Sequence, residues 1–355
     1  MSNRNHAFDL LCGLCILRMV LLHVVSICGY RSEYWFTKVM AWTFFFMSFF
    51  FFKAGYFNKG VSGKTIPYLK DRARRLLVPY ATWGTIGSAI FFAFLLLFPR
   101  QLAPYYKILR WEHLWQDSHF WGNPPLWFLF SFCATYVVVH LIDKCPPLRI
   151  CTIRLHPSLL VVTFPFVSYW LWTLRNPLWM SLDNVFMGVF FFSLGRTWRW
   201  LANRISRPWT IAISLLLIVC FLIGNKHWHG IYDMSLNKFA NNSWGAGINT
   251  ICALVGISGL LLSLPMRRIP ILCHIGQHSM VYFVAHYPII FIYVFTHAIF
   301  RHSVRHHWED VIILLLLILI TCSWIAPYVE RNSWLSGNYR NRKPSSPIDN
   351  GCVHS

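Results

Sequence analysis

The chain has 355 residues, 56% hydrophobic and only 12% charged, about half the charged share of an ordinary soluble domain. Lys and Arg outnumber Asp and Glu by 32 to 12, a formal net charge of +20, yet the basic residues lie between apolar runs about 20 residues long and not on one exposed face. That pattern excludes a soluble globular protein and a nucleic-acid binder, and predicts an all-α polytopic membrane bundle of about ten transmembrane helices.

The first apolar run, roughly 8–28, reads as a retained first span and not a cleaved leader. It carries Asp9 at its start and then Arg18 and His23. His23 lies fourteen residues past Asp9, ~21 Å into the bilayer at 1.5 Å per residue. Ionisable groups at such depth are costly and default to functional-site hypotheses. Arg18 cannot realistically lose its proton, so it needs a carbonyl, a carboxylate or an anionic substrate group. The second run, roughly 36–57, holds Lys53 close enough to its end to snorkel out. Between it and the third run, roughly 76–98, stands KDRARRLLVPY, which contains Lys70, Arg72, Arg74 and Arg75. Such a cluster usually serves topology alone, but Arg also suits the phosphates of an acyl-coenzyme A.

The remaining runs fall at roughly 125–143 (with PLWFL and Trp127 at its start), 158–173, 180–197, 208–224, 247–264, 276–300 and 310–328. On the ninth, Ser279, Tyr282 and His286 follow i, i+3, i+7 spacing, which predicts one polar helix face. His286 lies ten residues past Gly276, ~15 Å in, a depth comparable to that of His23, so the two imidazoles can share a cavity. A polar stripe that merely holds the bundle together is the alternative. The loops at 99–124 and 225–246 are long and rich in Trp, His, Tyr and Asn, as a sugar-facing surface is. Residues 1–336 form the membrane domain, and 337–355 read as a disordered cytoplasmic tail.

With the N-terminus inside, most loop basic residues, including the Arg72 cluster and Arg196, Arg199, Arg204 and Arg207, fall inside, which puts both termini in the cytoplasm. Eleven cysteines show no ligand spacing. His302, His306 and His307, and the His227/His229 pair, have no Cys or carboxylate set to complete a site, so no metal is expected.

FDLLCGLCILRMVLLH, FFFFKAGYF, DRARRLLVPY, PLWFL, FFSLGRTW and IGQHSMVYFVAHYP occur in that order over about 280 residues. In these motifs the chain resembles the bacterial membrane acyltransferase family (acyltransferase-three) that O-acetylates cell-surface glycans and includes fucose 4-O-acetylase-like proteins. The resemblance implies an O-acetyltransferase of the cytoplasmic membrane. Its donor would be acetyl-coenzyme A, or a similar short acyl-coenzyme A, on the cytoplasmic side. Its acceptor would be a hydroxyl of a glycan or lipid-linked saccharide. His23 would be the catalytic base or a covalent acyl carrier, with His286, Tyr282 and Ser279 lining the same cavity. Arg72 and Arg75 would hold the phosphates, Arg74 and Lys70 would add charge, and Asp9, Arg18, Lys53 and Trp127 would be substrate-contacting or structural. One position departs: the Arg the family commonly has eleven residues before the first-span His is Cys12 here, and Arg18 does not inherit its role. A transporter or flippase using the histidines as a proton relay is the first rival, weakened by the absence of an internal repeat. A non-catalytic partner of a polysaccharide export complex is the second. Sugar, acyl chain and oligomeric state stay open.

Overall fold

The computed structural model describes residues 6–58, 65–116, 118–150, 153–155, 157–174, 178–227, 231–240, 243–264, 269–300 and 307–338. Its apolar runs are helical, as they must be where lipid offers no partner to a backbone amide. The helices are α1 (His6–Ile27), α2 (Tyr34–Trp42), α3 (Phe46–Phe57), α4 (Thr65–Leu97), α5 (Glu112–Gln116), α6 (Trp127–Lys144) and α7 (Phe164–Thr173). There follow α8 (Asn184–Ala202), α9 (Arg207–His227), α10 (Ser243–Ser263), α11 (Pro270–Gln277), α12 (Ser279–Ile299), α13 (Trp308–Arg331) and α14 (Ser333–Ser336).

Eight stretches are long and apolar enough to cross a bilayer: α1, the α2–α3 pair, α4, α6, α9, α10, α12 and α13. The other two expected spans are α7, within the shorter apolar helix Leu159–Thr173, and α8, whose last turns carry Arg196 and Arg199. Each expected segment therefore has a helical counterpart, and the chain is a nearly all-α, multi-pass membrane bundle. Ile312, Leu316 and Ile320 on α13 and Leu215, Leu216 and Val219 on α9 point outward, the surface that lipid covers.

Three details differ from the expected elements. The second span breaks between α2 and α3, where the Thr43 hydroxyl donates back to the Val39 carbonyl and competes with helix continuation. The third span begins early, so Lys70, Arg72, Arg74 and Arg75 stand on α4 and not in a loop. The ninth is preceded by α11, and the break at His278 is fixed by a 2.6 Å contact from its Nδ1 to Glu330. Outside the helices, β1 (Leu148–Ile150) pairs with β2 (Ile153–Leu155) and β3 (Ile231–Asp233) with β4 (Lys238–Ala240), both antiparallel.

Small residues let backbones approach closely. A Cβ at Gly55 on α3 would sit 1.8 Å from the Phe192 carbonyl oxygen on α8, and one at Gly195 would sit 2.0 Å from that of Phe52. Gly276 on α11 meets the Asp9 carbonyl oxygen at 1.8 Å in the same sense. The first two contacts lock α3 to α8 and the third α11 to α1, which lies at the centre of the bundle against α3, α10, α11, α12 and α13.

The basic segments gather at one end. Arg196 grips Asp143 through two 2.7 Å bonds, Arg199 donates to the Tyr56 carbonyl, and Arg207 donates to that of Ser263. Phe8 stacks near Tyr56 and Phe57, and Trp83 donates to the Leu335 carbonyl. The start of α1 and the end of α13 thus lie at the same end as the Arg72 cluster. Residues 339–355, most of the expected tail, fall outside the described residues.

Candidate active site

His23 on α1 and His286 on α12 face each other, ring centroids 5.3 Å apart. His286 is completely buried, and its Nδ1 lies 2.8 Å from the Phe283 carbonyl and 3.0 Å from that of Tyr282. Carbonyl oxygens only accept, so Nδ1 carries the proton and the neutral ring presents a lone pair at Nε2. That Nε2 is buried and has no partner among the described residues. Tyr287 closes the group, with its ring 5.0 Å from His23 and 5.5 Å from His286.

His23 is partly exposed, and what it faces is a cavity of about 600 Å³ on the side away from the basic clusters. Arg18, Trp127, His119, Tyr232, Asp233 and Tyr287 are among its walls. Tyr232 gives its phenolic proton to Asn237, and burial holds its pKa well above the ordinary range, so this wall is a neutral hydrogen-bonding surface. A second cavity of about 310 Å³ sits at the basic end, lined by Lys53, Asn58, Arg72, Tyr136 and Ser279 over a floor of Phe50, Phe128 and Phe132. Phe283 belongs to the walls of both.

The remaining expected residues separate. Arg72 lines the basic-end cavity with its guanidinium 5.3 Å and 5.0 Å from the Tyr68 and Tyr136 ring centres, and its Nε is buried without a partner among the described residues. Arg75 is instead half exposed and tied to Asp71 at 3.0 Å, so it does not join Arg72 on one anion. Three residues on a helix leave two side chains ~60° apart, enough to put one in the cavity and one outside. Arg74 and Lys70 are exposed. Lys53 does not snorkel outward: it lines the cavity and its Nζ donates to Cys12 Sγ at 2.8 Å. Asp9 is buried and accepts from Gln277.

Ser279 lies in the basic-end cavity, about two turns below His286 on a shared stripe. Tyr282 leaves that stripe: its hydroxyl is 2.6 Å from Ser323 on α13, away from the histidines. A Tyr282→Phe protein should therefore turn over within about twofold of the parent and lose only ~0.6 kcal/mol of stability, as an interhelical bond in lipid does. A loss of turnover beyond tenfold in steady-state assays, at unchanged abundance, would restore Tyr282 to the reacting group. Trp127 is buried and lines the larger cavity.

Sequence reasoning missed Phe283, Tyr287, His119 and Asp233. Phe283 and Tyr287 lie inside IGQHSMVYFVAHYP, but as aromatics on an apolar helix they carry no signal separable from core packing. His119 and Asp233 stand in the two long loops already read as sugar-facing, with no motif to single them out. Among the described residues, no group of three or more His, Cys, Asp or Glu is placed to hold a metal ion. His229, His302 and His306 lie outside the described residues.

A family model described as an acyltransferase domain matches residues 5–335. No curated protein and no solved structure matches the chain. The chain belongs to the acyltransferase-three family and is a membrane acyltransferase.

Proposed function

We propose that this acyltransferase moves an acetyl or similar short acyl group from acyl-coenzyme A, on the cytoplasmic side of the cell membrane, to a hydroxyl of a cell-surface or lipid-linked glycan. The observation that carries this reading is the pair of cavities entering from opposite ends and meeting at Phe283, beside the two histidines.

The basic end is the cytoplasmic one by its charge. Its cavity is at the small end of ligand pockets, suited to a slender pantetheine arm and not to a nucleotide. Arg72, with a free buried Nε, meets the phosphates at the mouth, and Lys53 and Ser279 line the way in. The larger cavity, with aromatic and hydrogen-bonding walls, takes the saccharide. There the acceptor hydroxyl attacks the thioester carbonyl, its proton passes to a ring nitrogen of His23, the C–S bond breaks, and coenzyme A leaves as a thiol once it is protonated. His286 is too buried to touch the acceptor and stands behind His23, packing its ring against that imidazole at 5.3 Å between centroids. A flippase reading has less support, because a saccharide would need one wide path where two cavities end on a phenyl ring.

Loss of O-acyl signals from the surface glycan of a deletion strain, by NMR, and their return on complementation is the expected result. An unchanged glycan removes this acceptor class. For the donor, Arg72→Lys keeps the charge but loses the planar fork, and should weaken acyl-coenzyme A binding by about tenfold, ~1.4 kcal/mol. Equal affinities in nanodiscs would leave Arg72 a topology residue.

A further inference from the structure

We infer that the acceptor is an anionic saccharide, and that Arg18 binds its carboxylate or phosphate. This rests on the larger cavity being the acceptor site.

Arg18 is held but makes no ion pair among the described residues. Its Nε donates to Thr43 Oγ1 at 3.2 Å, and its guanidinium carbon lies 3.8 Å from the Phe46 ring centre. Those contacts fix the plane of the group and leave its terminal edge unused. NH1 is buried and has no hydrogen-bond partner, and no carboxylate lies within ion-pair distance of Arg18 among the described residues. A cation partly withdrawn from water with no carboxylate in direct contact is costly, more so at mid-membrane depth, and an anionic ligand at its open edge lowers that cost. Both Arg18 and His23 line the cavity of about 600 Å³.

Further features of the same walls agree. Ser26, less than one turn beyond His23 on α1, has a buried hydroxyl that is likewise without a partner among the described residues. Arg31 adds a second positive charge at the lining. Asp233 also lines the cavity and its charge reaches Arg18 through space, but it is solvent-exposed, makes no ion pair with Arg18, and its Oδ1 accepts from the amide and hydroxyl of Ser235, so the guanidinium edge stays open to a ligand. Trp127 and Tyr287 offer flat faces of the kind that stack on a sugar ring. A planar guanidinium with a free edge is the donor that a carboxylate or phosphate matches in two-point fashion.

The spacing also limits where the anion sits. Arg18 and His23 are separated by ~7.5 Å along α1 and ~140° around it, so they flank the cavity and do not share a point. An anion on Arg18 and a hydroxyl at His23 then belong to the same or adjoining sugar residues.

The test compares methyl glucuronoside, glucose 1-phosphate and methyl glucoside as ligands of the purified protein in nanodiscs, by isothermal titration. At least one anionic probe should bind about tenfold more tightly than the neutral one, and which of the two does so separates carboxylate from phosphate. Arg18→Gln should remove that preference while leaving the affinity for the neutral sugar unchanged and the thermal midpoint no lower; Arg18→Lys should keep part of the preference. Equal affinities in the parent, binding by neither anionic probe, or a preference that survives Arg18→Gln each overturn the inference. Acceptor-dependent release of coenzyme A is measured in parallel. Release without anion preference sinks this inference alone, whereas preference without release sinks the acyl-transfer reading of the site.

Discussion

Replacing His23 with Ala should lower acyl transfer by roughly 10²–10⁴-fold with membrane insertion unchanged, the usual worth of a general base. The expectation follows from placement. His23 is the imidazole that faces the larger cavity, and His286 stands behind it with Nδ1 tied to backbone carbonyls. The void left by Ala adjoins that cavity, so added imidazole should restore part of the rate, a response that a merely structural histidine does not give. Near-parental turnover, measured as acceptor-dependent release of free coenzyme A, would take His23 out of the mechanism. His286→Ala should cost less, because its ring reaches the substrate only through His23. Activity that falls in step with protein abundance would make His286 a packing residue.

How far the sequence anticipates this arrangement depends on what sets each feature. Run length and basic clusters are one-dimensional properties, and they located ten segments and gathered the Arg72, Arg196 and Arg207 groups at one end of the bundle. Helix depth is nearly one-dimensional too, and it alone pairs His23 with His286, whose rings lie 5.3 Å apart. Azimuth is harder. Ser279, Tyr282 and His286 looked like one stripe, yet 60° of rotation was enough to hand Tyr282 to Ser323. The same rotation divided Arg72 from Arg75. Lys53 shows a further limit: four carbons of stem reach either water or the bundle interior, and the neighbour that decided it, Cys12, lies on another helix. Cys12 stands where the resembled family commonly has Arg, so Lys53 brings a positive charge back to that place. No spacing rule reports this, since it is a contact between spans.

Phe283→Ala should join the two cavities. The Phe283 side chain lies in the walls of both, its ring centre 5.4 Å from that of Phe128 and 6.4 Å from that of His286. A phenyl ring at this junction narrows the way between the chambers, so that under the proposed reaction a thioester waiting on the donor side meets little water until its arm passes the ring to the acceptor, and hydrolysis wastes few acyl groups. Removing it should raise acceptor-independent hydrolysis of acyl-coenzyme A by about an order of magnitude and lower the fraction of acyl groups reaching the glycan. The partition itself can be read without chemistry. Ala54 lines the basic-end cavity, so Ala54→Cys should react with a membrane-impermeant maleimide only from that end in vesicles of one orientation. With Phe283→Ala added, it should react from both ends. Phe→Ala in a packed interior can cost ~3–5 kcal/mol, so Phe283→Leu, which keeps most of the volume but not the ring's breadth, serves as the folded control and should give a smaller leak of the same kind. One-sided labelling in both variants, with hydrolysis at the parental rate, would mean that something other than Phe283 divides the two chambers.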